Sequence, residues 1–353
     1  MKEKKSKKQK EDKFPSELRL DLVSRDWVVI ATGRARRPET FKEEKKEKRR
    51  AEKKKCPFCK ITSQENPTLV FVKGKKYPLK DWSKLPSDWS LVVVPNKYPA
   101  FLPYPKLEKR VEGGIYQKVN AVGYHEVVIT RDHKKDIDEL PREKIKEVFD
   151  AYQERYLALK DKRFVNHIFI FHNHGPKAGA SIAHPHSQII TTPLIDTDLE
   201  NALSRAEQYF KEKKHCVYCR MNKWEIKSKK RIVYENEEFV AVCPFASKTA
   251  FQVIISPKKH LSYFEEITEK EKKFLADAFY VVFRKINKGL NNPDYNFYLH
   301  SAPCDGKDHN YYHWHWTILP KTSVWAGFEV EARMEISTIE PEKAAKYLRS
   351  IKV

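Results

Sequence analysis

An internal repeat constrains the fold of this chain more strongly than any other feature of its sequence. The first copy carries Cys56-Pro-Phe-Cys59 and His184-Pro-His186, and the second carries Cys216-Val-Tyr-Cys219 and His313-Trp-His315. Between these motifs both copies show apolar strand patterns, a histidine that follows a strand, and an amphipathic helix pattern, in the same order. A motif order that occurs twice predicts two copies of one folding unit.

The two copies agree in spacing over their second halves and differ over their first halves. His133 precedes His184 by 51 positions, and His260 precedes His313 by 53. From the Cys-x-x-Cys pair to the following histidine, the first copy spans 74 positions and the second only 41. This difference places an insertion in the first half of the first copy.

Strand and helix patterns within each copy predict an α+β fold. Leu140 to Lys160 has the apolar stripe of an amphipathic helix, and Thr268 with Glu271 forms a capping box before a second helix. Short apolar runs such as Leu91 to Pro95 alternate with these helices and indicate strands. The repeat divides the chain into a basic disordered tail over residues 1–16, an N-terminal domain over 17–195 and a C-terminal domain over 196–353.

Each copy supplies two cysteines, a histidine after a strand and a histidine from the His-x-His triplet, which together complete a tetrahedral ligand set. Thiolate and imidazole ligands favour zinc and exclude magnesium and calcium. The alternative, reduced thiols beside solvated histidines without metal, does not explain why the arrangement occurs twice. The sequence therefore predicts two closed structural zinc sites, formed by Cys56, Cys59, His133 and His184 and by Cys216, Cys219, His260 and His313.

Charge limits the partners of this chain. The 353 residues include 69 Lys and Arg against 48 Asp and Glu, and the net charge of +21 favours anionic partners. Much of the excess lies in residues 1–13 and 41–55, whose Lys and Glu runs are more typical of solvated or disordered segments than of a nucleic-acid-binding arm. No apolar stretch reaches the length of a membrane span and the N-terminus lacks an apolar signal core, so we expect a cytoplasmic protein.

The stretch from Asn173 to Gln188 has the residue types that phosphoryl chemistry needs. A glycine-containing turn precedes a run in which His184, His186 and Gln188 alternate with other residues. An extended conformation would place both imidazoles and the amide on one face, where an imidazole can attack a phosphate that backbone N–H groups hold. A polar surface strand is the alternative interpretation of the triplet alone.

Zinc binding by one histidine of each triplet leaves His186 free in the first copy and His315 free in the second. Around His186 the sequence offers a glycine turn, Ser181 and Gln188, whereas two tryptophans flank His315 and no glycine turn precedes it. The first copy is therefore predicted to be catalytic, and His315 to be a packed or hydrogen-bonded residue.

On these motifs the chain resembles the galactose-1-phosphate uridylyltransferase family of the histidine-triad superfamily, which includes an ADP-glucose phosphorylase branch. The resemblance extends from about Leu18 to the C-terminus and is most specific over Asn173 to Gln188. It implies two half-barrels of antiparallel strands with packed helices and a homodimer whose subunits share the active site. It also implies a nucleotide sugar and a sugar 1-phosphate as substrates.

The resemblance implies roles for individual residues as well. His186 is expected to be the nucleophile that receives a nucleoside monophosphate on a ring nitrogen, with Gln188 and Ser181 supporting the phosphoryl group. The other residues expected to contact substrate are Arg34, Arg37, Asn96, Asn173, Gly179, Gly327, Phe328 and Glu329.

Departures from the family's pattern keep alternatives open. Lys97 stands where uridylyltransferases often have Asp, and Ala180 stands where some have Cys. The second predicted metal site has two cysteines, as in the ADP-glucose phosphorylase branch, whereas some uridylyltransferases bind iron there through Glu and His. Iron is therefore an alternative to zinc at that site.

Three functions follow in order of preference. The first is transfer of UMP between UDP-glucose and galactose 1-phosphate by double displacement. The second is a phosphorylase that uses inorganic phosphate on ADP-glucose or a dinucleoside polyphosphate. The third, of another class, is a zinc-stabilised nucleic-acid-binding protein.

Overall fold

The computed structural model describes residues 16–31, 38–42, 52–79, 81–324 and 326–353. The predicted disordered tail lies outside these ranges except for Ser16, and Arg34 and Arg37 lie outside them as well. No helix within these ranges is long and apolar enough to cross a membrane.

Most strands of the structure coincide with the apolar runs that indicated them, because β-branched and aromatic residues fit a pleated and partly buried surface. The strands are β1 (Glu17–Leu20), β2 (Trp27–Ile30), β3 (Leu69–Val72), β4 (Lys75–Lys76), β5 (Trp89–Pro95), β6 (Lys109–Glu112), β7 (Tyr116–Val119), β8 (His125–Thr130), β9 (His167–His174), β10 (His186–Thr192), β11 (Ile232–Glu235), β12 (Phe239–Val242), β13 (Val253–Pro257), β14 (Tyr295–His300), β15 (His315–Pro320) and β16 (Ile336–Ser337). Strand β9 ends at His174, so Asn173 lies within it.

Two of the helices were predicted and the others were not. The helices are α1 (Arg142–Leu159), α2 (Thr197–Lys213), α3 (Val217–Ser228), α4 (Glu269–Leu290), α5 (Gly327–Ala332) and α6 (Pro341–Ser350). At the start of α4 the predicted capping box is present, because the Glu271 carboxylate accepts a hydrogen bond from the Thr268 backbone N–H at 2.8 Å. The sequence also indicates helix α2, although it was not predicted. The Asp196 side chain caps the helix by accepting from the Leu199 backbone N–H at 3.0 Å, and the buried residues of α2 repeat at helical spacing.

One antiparallel sheet of 11 strands joins the two copies of the repeat. Its order is β11-β12-β13-β15-β14-β9-β10-β8-β5-β3-β4. Outward from its centre, β9-β10-β8-β5-β3 on one side has the same chain order as β14-β15-β13-β12-β11 on the other. The two units meet where β9 pairs with β14, and Asn173 lies opposite Asn296 there. The predicted α+β fold with a duplicated unit is confirmed.

The insertion in the first copy contains a separate hairpin. Strands β6 and β7 pair with each other as a two-stranded sheet and follow β5 in the chain. The connection from β12 to β13 in the second copy is shorter and holds no strand. The difference in length between the copies therefore lies partly in this hairpin.

Helices α1 and α4 cover one face of the sheet and fix which side chains of β10 reach the other face. The rings of Phe149 and Phe279 meet edge to face across these helices, with centroids 4.8 Å apart. Ser187 points to the helices, because its hydroxyl lies 2.6 Å from the hydroxyl of Tyr152 on α1. Since neighbouring strand residues alternate in direction, His186 on the same strand lies on the face opposite α1 and α4.

Candidate active site and metal clusters

The four ligands predicted for the first metal site converge at one end of the sheet. The Nδ1 atoms of His133 and His184 and the two sulfurs all lie within 4.8 Å of one another. Cys56 Sγ lies 3.5 Å from His184 Nδ1, and Cys59 Sγ lies 3.2 Å from His133 Nδ1. The loop after residue 52, the β8–α1 loop and the segment before β10 thus meet at one cluster.

The second predicted ligand set converges in the same way. Cys216 is the residue before α3, and Cys219 lies in the first turn of that helix. Cys219 Sγ lies 3.3 Å from His260 Nδ1 and 3.4 Å from His313 Nδ1, and all four ligand atoms lie within 4.8 Å of one another.

The outer nitrogens of His184 and His313 show which nitrogen of each ring faces the cysteines. His184 Nε2 donates to the Thr130 carbonyl at 2.8 Å, and His313 Nε2 donates to the Pro257 carbonyl at 3.0 Å. A carbonyl only accepts, so Nε2 carries the proton and Nδ1 presents a lone pair to the cysteines. Histidine ligands of metals are oriented in this way, and two thiolates with two imidazoles suit a tetrahedral site.

His186 is the first residue of β10 and is half-buried. Its Nδ1 donates to the backbone carbonyl of His184 at 2.9 Å, so the proton of the neutral ring lies on Nδ1 and Nε2 is unprotonated. The Phe58 ring meets the imidazole edge to face, with centroids 4.9 Å apart. Burial lowers the pKa of His186 and favours this neutral form. An imidazole with an unprotonated nitrogen can act as a nucleophile, and this ring is held by the backbone of a predicted metal ligand.

Asn173 lies beside His186, because the register of β9 and β10 brings these two positions together. Its Oδ1 accepts a hydrogen bond from Asn296 Nδ2 at 2.7 Å, and the same nitrogen donates to the Ala178 carbonyl at 2.9 Å. Since that carbonyl only accepts, Asn296 presents its nitrogen, and Asn173 must face it with oxygen. The Asn173 amide nitrogen therefore points away from Asn296 and can donate to a ligand.

Gln188 lies two residues along β10 from His186 and on the same face of the sheet. Its Oε1 accepts from His125 Nε2 at 2.8 Å, and the Asn96 amide nitrogen lies 3.0 Å from the same ring atom. Gln188, His125 and Asn96 thus form one polar group. The sequence did not single out His125 or Asn296, although strand alternation puts His125 on the face that carries His186 and Gln188.

The glycine turn between β9 and β10 is anchored to the second copy. Gly175 has φ of 80°, and a side chain there would collide with the Asp294 carboxylate. That carboxylate accepts from the Lys177 backbone N–H at 2.7 Å. Gly179 has φ of 84° and is exposed, as is Ser181. The turn is therefore fixed to the second copy, and it leaves Gly179 and Ser181 exposed before the strand that carries His186.

The C-terminal residues expected to contact substrate form a separate element. Gly327, Phe328 and Glu329 begin the exposed helix α5, and the Glu329 carboxylate accepts from the Ala326 backbone N–H at 3.0 Å. Within the described ranges no hydrogen bond joins them to the group around His186. Arg34 and Arg37 lie outside the described residues.

The second copy encloses the residue that corresponds to His186. His315 Nδ1 donates to the His313 carbonyl at 3.1 Å, but only 9% of His315 is exposed. The rings of His300 and Tyr218 have centroids 4.5 Å and 5.5 Å from the His315 ring. Burial lowers the pKa of His315 to about 4. His315 is therefore a packed residue in this structure.

Comparison with known proteins identifies relatives over nearly the whole chain. Two family models match, "Galactose-1-phosphate uridyl transferase, N-terminal domain" over residues 6–196 and "Galactose-1-phosphate uridyl transferase, C-terminal domain" over residues 202–352. An ADP-glucose phosphorylase of Arabidopsis thaliana is 31% identical over 339 residues, which cover 95% of this chain and 93% of that protein. A galactose-1-phosphate uridylyltransferase of Thermotoga maritima is 29% identical over 346 residues, which cover 96% of this chain and 99% of that protein.

Solved structures resemble the fold over a similar length. A crystal structure of an ADP-glucose phosphorylase from Arabidopsis thaliana with bound ADP-glucose has a TM-score of 0.76 and 28% identity, and the match covers 96% of this chain and 100% of that one. A uridylyltransferase structure has a TM-score of 0.70 and 25% identity, with coverage of 94% and 97%.

Proposed function

The chain belongs to the galactose-1-phosphate uridylyltransferase family, and from that premise we propose that it is a nucleotidyltransferase that moves UMP between UDP-glucose and galactose 1-phosphate. The observation that carries the proposal is the hydrogen bond from His186 Nδ1 to the His184 carbonyl. It leaves Nε2 as an unprotonated nucleophile in the copy of the repeat that keeps this ring half-buried instead of enclosed.

In the first half-reaction His186 Nε2 attacks the phosphorus of the nucleotide's α-phosphate. The nitrogen–phosphorus bond forms while the bond from that phosphorus to the bridging oxygen breaks. The electron pair leaves with glucose 1-phosphate, and UMP stays on the ring. The positive charge that develops on the imidazole is stabilised through Nδ1–H by the His184 carbonyl.

In the second half-reaction a phosphate oxygen of galactose 1-phosphate attacks the same phosphorus. The nitrogen–phosphorus bond breaks, its electron pair returns to Nε2, and UDP-galactose leaves. The amide nitrogens of Asn173 and Gln188 and the Ser181 hydroxyl are the donors for the phosphoryl oxygens. One imidazole thus serves as nucleophile and as leaving group.

Zinc is the metal that we assign to both Cys2His2 clusters, with iron as the alternative at the second. A bound zinc ion would supply a structural link between each Cys-x-x-Cys loop and the strand that carries its His-x-His triplet. In the first copy, His184 would be fixed by its ligand bond at Nδ1 and its hydrogen bond to Thr130 at Nε2. The carbonyl that orients His186 would then be fixed as well.

A nucleotide-sugar phosphorylase is the second candidate, and the 31% identity to an ADP-glucose phosphorylase favours it. In that reaction inorganic phosphate would attack the nucleotidyl-histidine instead of a sugar 1-phosphate. Both candidates begin with transfer of a nucleoside monophosphate to His186. They differ in the base of that nucleotide and in the acceptor that removes it.

Intact-protein mass spectrometry separates these candidates. The enzyme is mixed with UDP-glucose or ADP-glucose, denatured in alkali to preserve the phosphoramidate, and weighed. A UMP adduct that galactose 1-phosphate discharges supports the uridylyltransferase, and an AMP adduct that phosphate discharges supports the phosphorylase. Absence of any adduct with either sugar nucleotide contradicts both.

Three further expectations stay predictions. They are a homodimer with a shared active site, which light scattering tests, a cytoplasmic location, and a division of the chain into domains over residues 17–195 and 196–353. Limited proteolysis tests the division, since cleavage near residues 195–196 should release two stable fragments if the units fold independently.

A further inference from the structure

We infer that His125 is a positioning residue for Gln188, which it holds with the amide nitrogen directed toward the phosphoryl group on His186. The inference rests on the proposed function, because it concerns the same phosphoryl site. His125 itself does not touch the reacting atoms. Its effect passes through the side chain of Gln188.

Strand register places His125 beyond Gln188 as seen from the nucleophile. Strands β8 and β10 are antiparallel, and their register pairs His186 with Ile129, Gln188 with Val127 and Ile190 with His125. Directly paired residues share a face of the sheet, so His125 lies on the face that carries His186 and Gln188. Gln188 therefore lies between the two imidazoles.

One backbone group decides the protonation of the His125 ring. The Ala100 backbone N–H donates to His125 Nδ1 at 3.1 Å, and an N–H cannot accept, so Nδ1 is unprotonated. Burial lowers the pKa of His125, which keeps the ring neutral near pH 7 with its proton on Nε2. His125 thus offers one N–H donor on its Nε2 side.

That donor fixes the orientation of the Gln188 amide. His125 Nε2 lies 2.8 Å from Gln188 Oε1, and a ring N–H selects the oxygen end of an amide over the nitrogen end. The amide nitrogen of Gln188 is then on the side away from His125, where His186 lies. Phosphoryl oxygens only accept hydrogen bonds, so only this orientation of the amide stabilises them.

The Tyr98 backbone N–H, and not the His125 ring, orients Asn96. The Asn96 oxygen accepts from the Tyr98 backbone N–H at 2.9 Å, so its nitrogen faces His125 Nε2 at 3.0 Å as one donor against another. A ligand oxygen within reach of the Asn96 amide nitrogen would therefore supply the hydrogen-bond acceptor that the His125 ring does not. This fits the nucleotide contact predicted for Asn96.

The second copy provides an independent comparison. Its register places Gln252 where the first copy has His125, and Thr317 where it has Gln188. Gln252 Oε1 accepts from the Lys248 backbone N–H at 2.7 Å and so serves its own loop. The first copy, with the accessible nucleophile, thus pairs an imidazole with an amide at these two positions. The second copy, in which His315 is enclosed, lacks this pair at the matching positions.

Two substitutions separate the two hydrogen bonds of His125. In His125→Gln the ε-amide nitrogen can replace Nε2 as donor to Gln188, and in His125→Asn the δ-oxygen can replace Nδ1 as acceptor from Ala100. The single-turnover rate of nucleotidyl transfer to His186 should fall about tenfold further in His125→Asn than in His125→Gln. In a Gln188→Leu background, His125→Asn should change the rate less than about twofold, because the group it positions is gone.

The ranking of the variants decides the inference. If His125→Asn is as fast as His125→Gln, or if its tenfold effect persists in the Gln188→Leu background, the inference is wrong. A variant that is unfolded at the assay temperature, as judged by circular dichroism, also contradicts it, because His125 then serves the fold. If the wild-type enzyme takes no nucleotidyl group from UDP-glucose or ADP-glucose, the proposed function fails instead.

Discussion

The two copies of the repeat place an imidazole at the same point of the same backbone, but only one copy leaves it accessible. In both copies the first histidine of the triplet donates from Nε2 to the last carbonyl of a neighbouring strand, that of Thr130 in β8 or of Pro257 in β13. The second histidine donates back to the first one's carbonyl, at 2.9 Å for His186 and 3.1 Å for His315. The duplicated unit thus builds the same imidazole support twice.

The surroundings of the two rings differ. Asn173 lies across from His186, whereas the matching position across from His315 is His300, whose ring stacks on it. Tyr218 covers the other imidazole at the place where Phe58 lies beside His186. The orientation of the imidazole is thus common to both copies, whereas its access and its polar neighbours are specific to the first copy.

The largest expected effect comes from substituting the two matched histidines one at a time. His186→Asn removes the nucleophile and should lower the rate of nucleotidyl transfer at least about 10⁴-fold. His315→Asn alters the enclosed ring and should leave the rate within about fivefold of the wild type, since this ring meets no substrate. Steady-state assays on both folded variants measure the contrast. Comparable losses in the two variants would show that the copies are not functionally distinct.

Loss of the metal from one cluster should have the next largest effect on the rate, and this effect should differ between the two copies. Cys59→Ser and Cys219→Ser should each reduce bound zinc, but only the first frees the carbonyl that orients His186. We expect the rate to fall about 100-fold in Cys59→Ser and less than about threefold in Cys219→Ser, whose cost appears as a lower unfolding temperature. Metal analysis and rates, taken where both variants are folded, test this. An equal loss of rate in the two variants would contradict the distinction between the two metal sites.

A smaller effect tests the contact between the copies. Asn296, in the second copy, orients the Asn173 amide across the β9–β14 junction. Asn296→Ala leaves the Asn173 oxygen without this donor and should slow transfer about tenfold. Asn310→Ala, at an exposed asparagine that bonds Asp308, is the control and should not change the rate. A normal rate in Asn296→Ala would mean that Asn173 needs no such support.

The smallest expected effect is a pH-dependent contribution of the glycine turn to stability. Burial alone would lower the pKa of His174, but its hydrogen bond to Asp136 and the charges of Asp136, Asp138 and Asp294 raise it above the ordinary value. The protonated ring therefore stabilises the fold below about pH 6.5, and this contribution is lost as pH rises through the raised pKa. His174→Gln should lower the free energy of unfolding by about 1 kcal/mol at about pH 5.5 and by less at about pH 9.

Urea unfolding at the two pH values measures this difference against the wild type. Ser301→Ala is the matched control, because Ser301 holds the corresponding place in the second copy and carries no charge. Its effect should be the same at both pH values. A His174→Gln effect that does not change with pH would exclude a charged His174.

Local sequence predicted the parts of this molecule that repeat. The Cys-x-x-Cys and His-x-His motifs define both ligand sets, since four soft ligands in matched copies have few other arrangements, and the flanks of His186 and His315 indicated their different surroundings. Helices α1 and α4 followed from apolar periodicity. Helices α2, α3 and α6 were missed, although the Asp196 cap and the apolar face of α2 were readable.

The polar partners of the site could not be read from local sequence. His125 and Gln188 are 63 positions apart, and Asn173 and Asn296 are 123 apart. Each pair depends on the register between strands, which is set by the whole sheet and not by the residues on either side of one motif. Only the structure shows that the amide oxygens of Gln188 and Asn173 both accept hydrogen bonds from other side chains.

Peptide mapping of the nucleotidylated enzyme identifies which of the two matched histidines carries the nucleotidyl group. The wild-type protein is mixed with UDP-glucose or ADP-glucose, denatured in alkali and digested, and the peptides that contain His186 and His315 are sequenced by mass spectrometry. We expect a nucleoside monophosphate on His186 and an unmodified His315. A modified His315, a modification on another residue, or no covalent adduct under single-turnover conditions would contradict it.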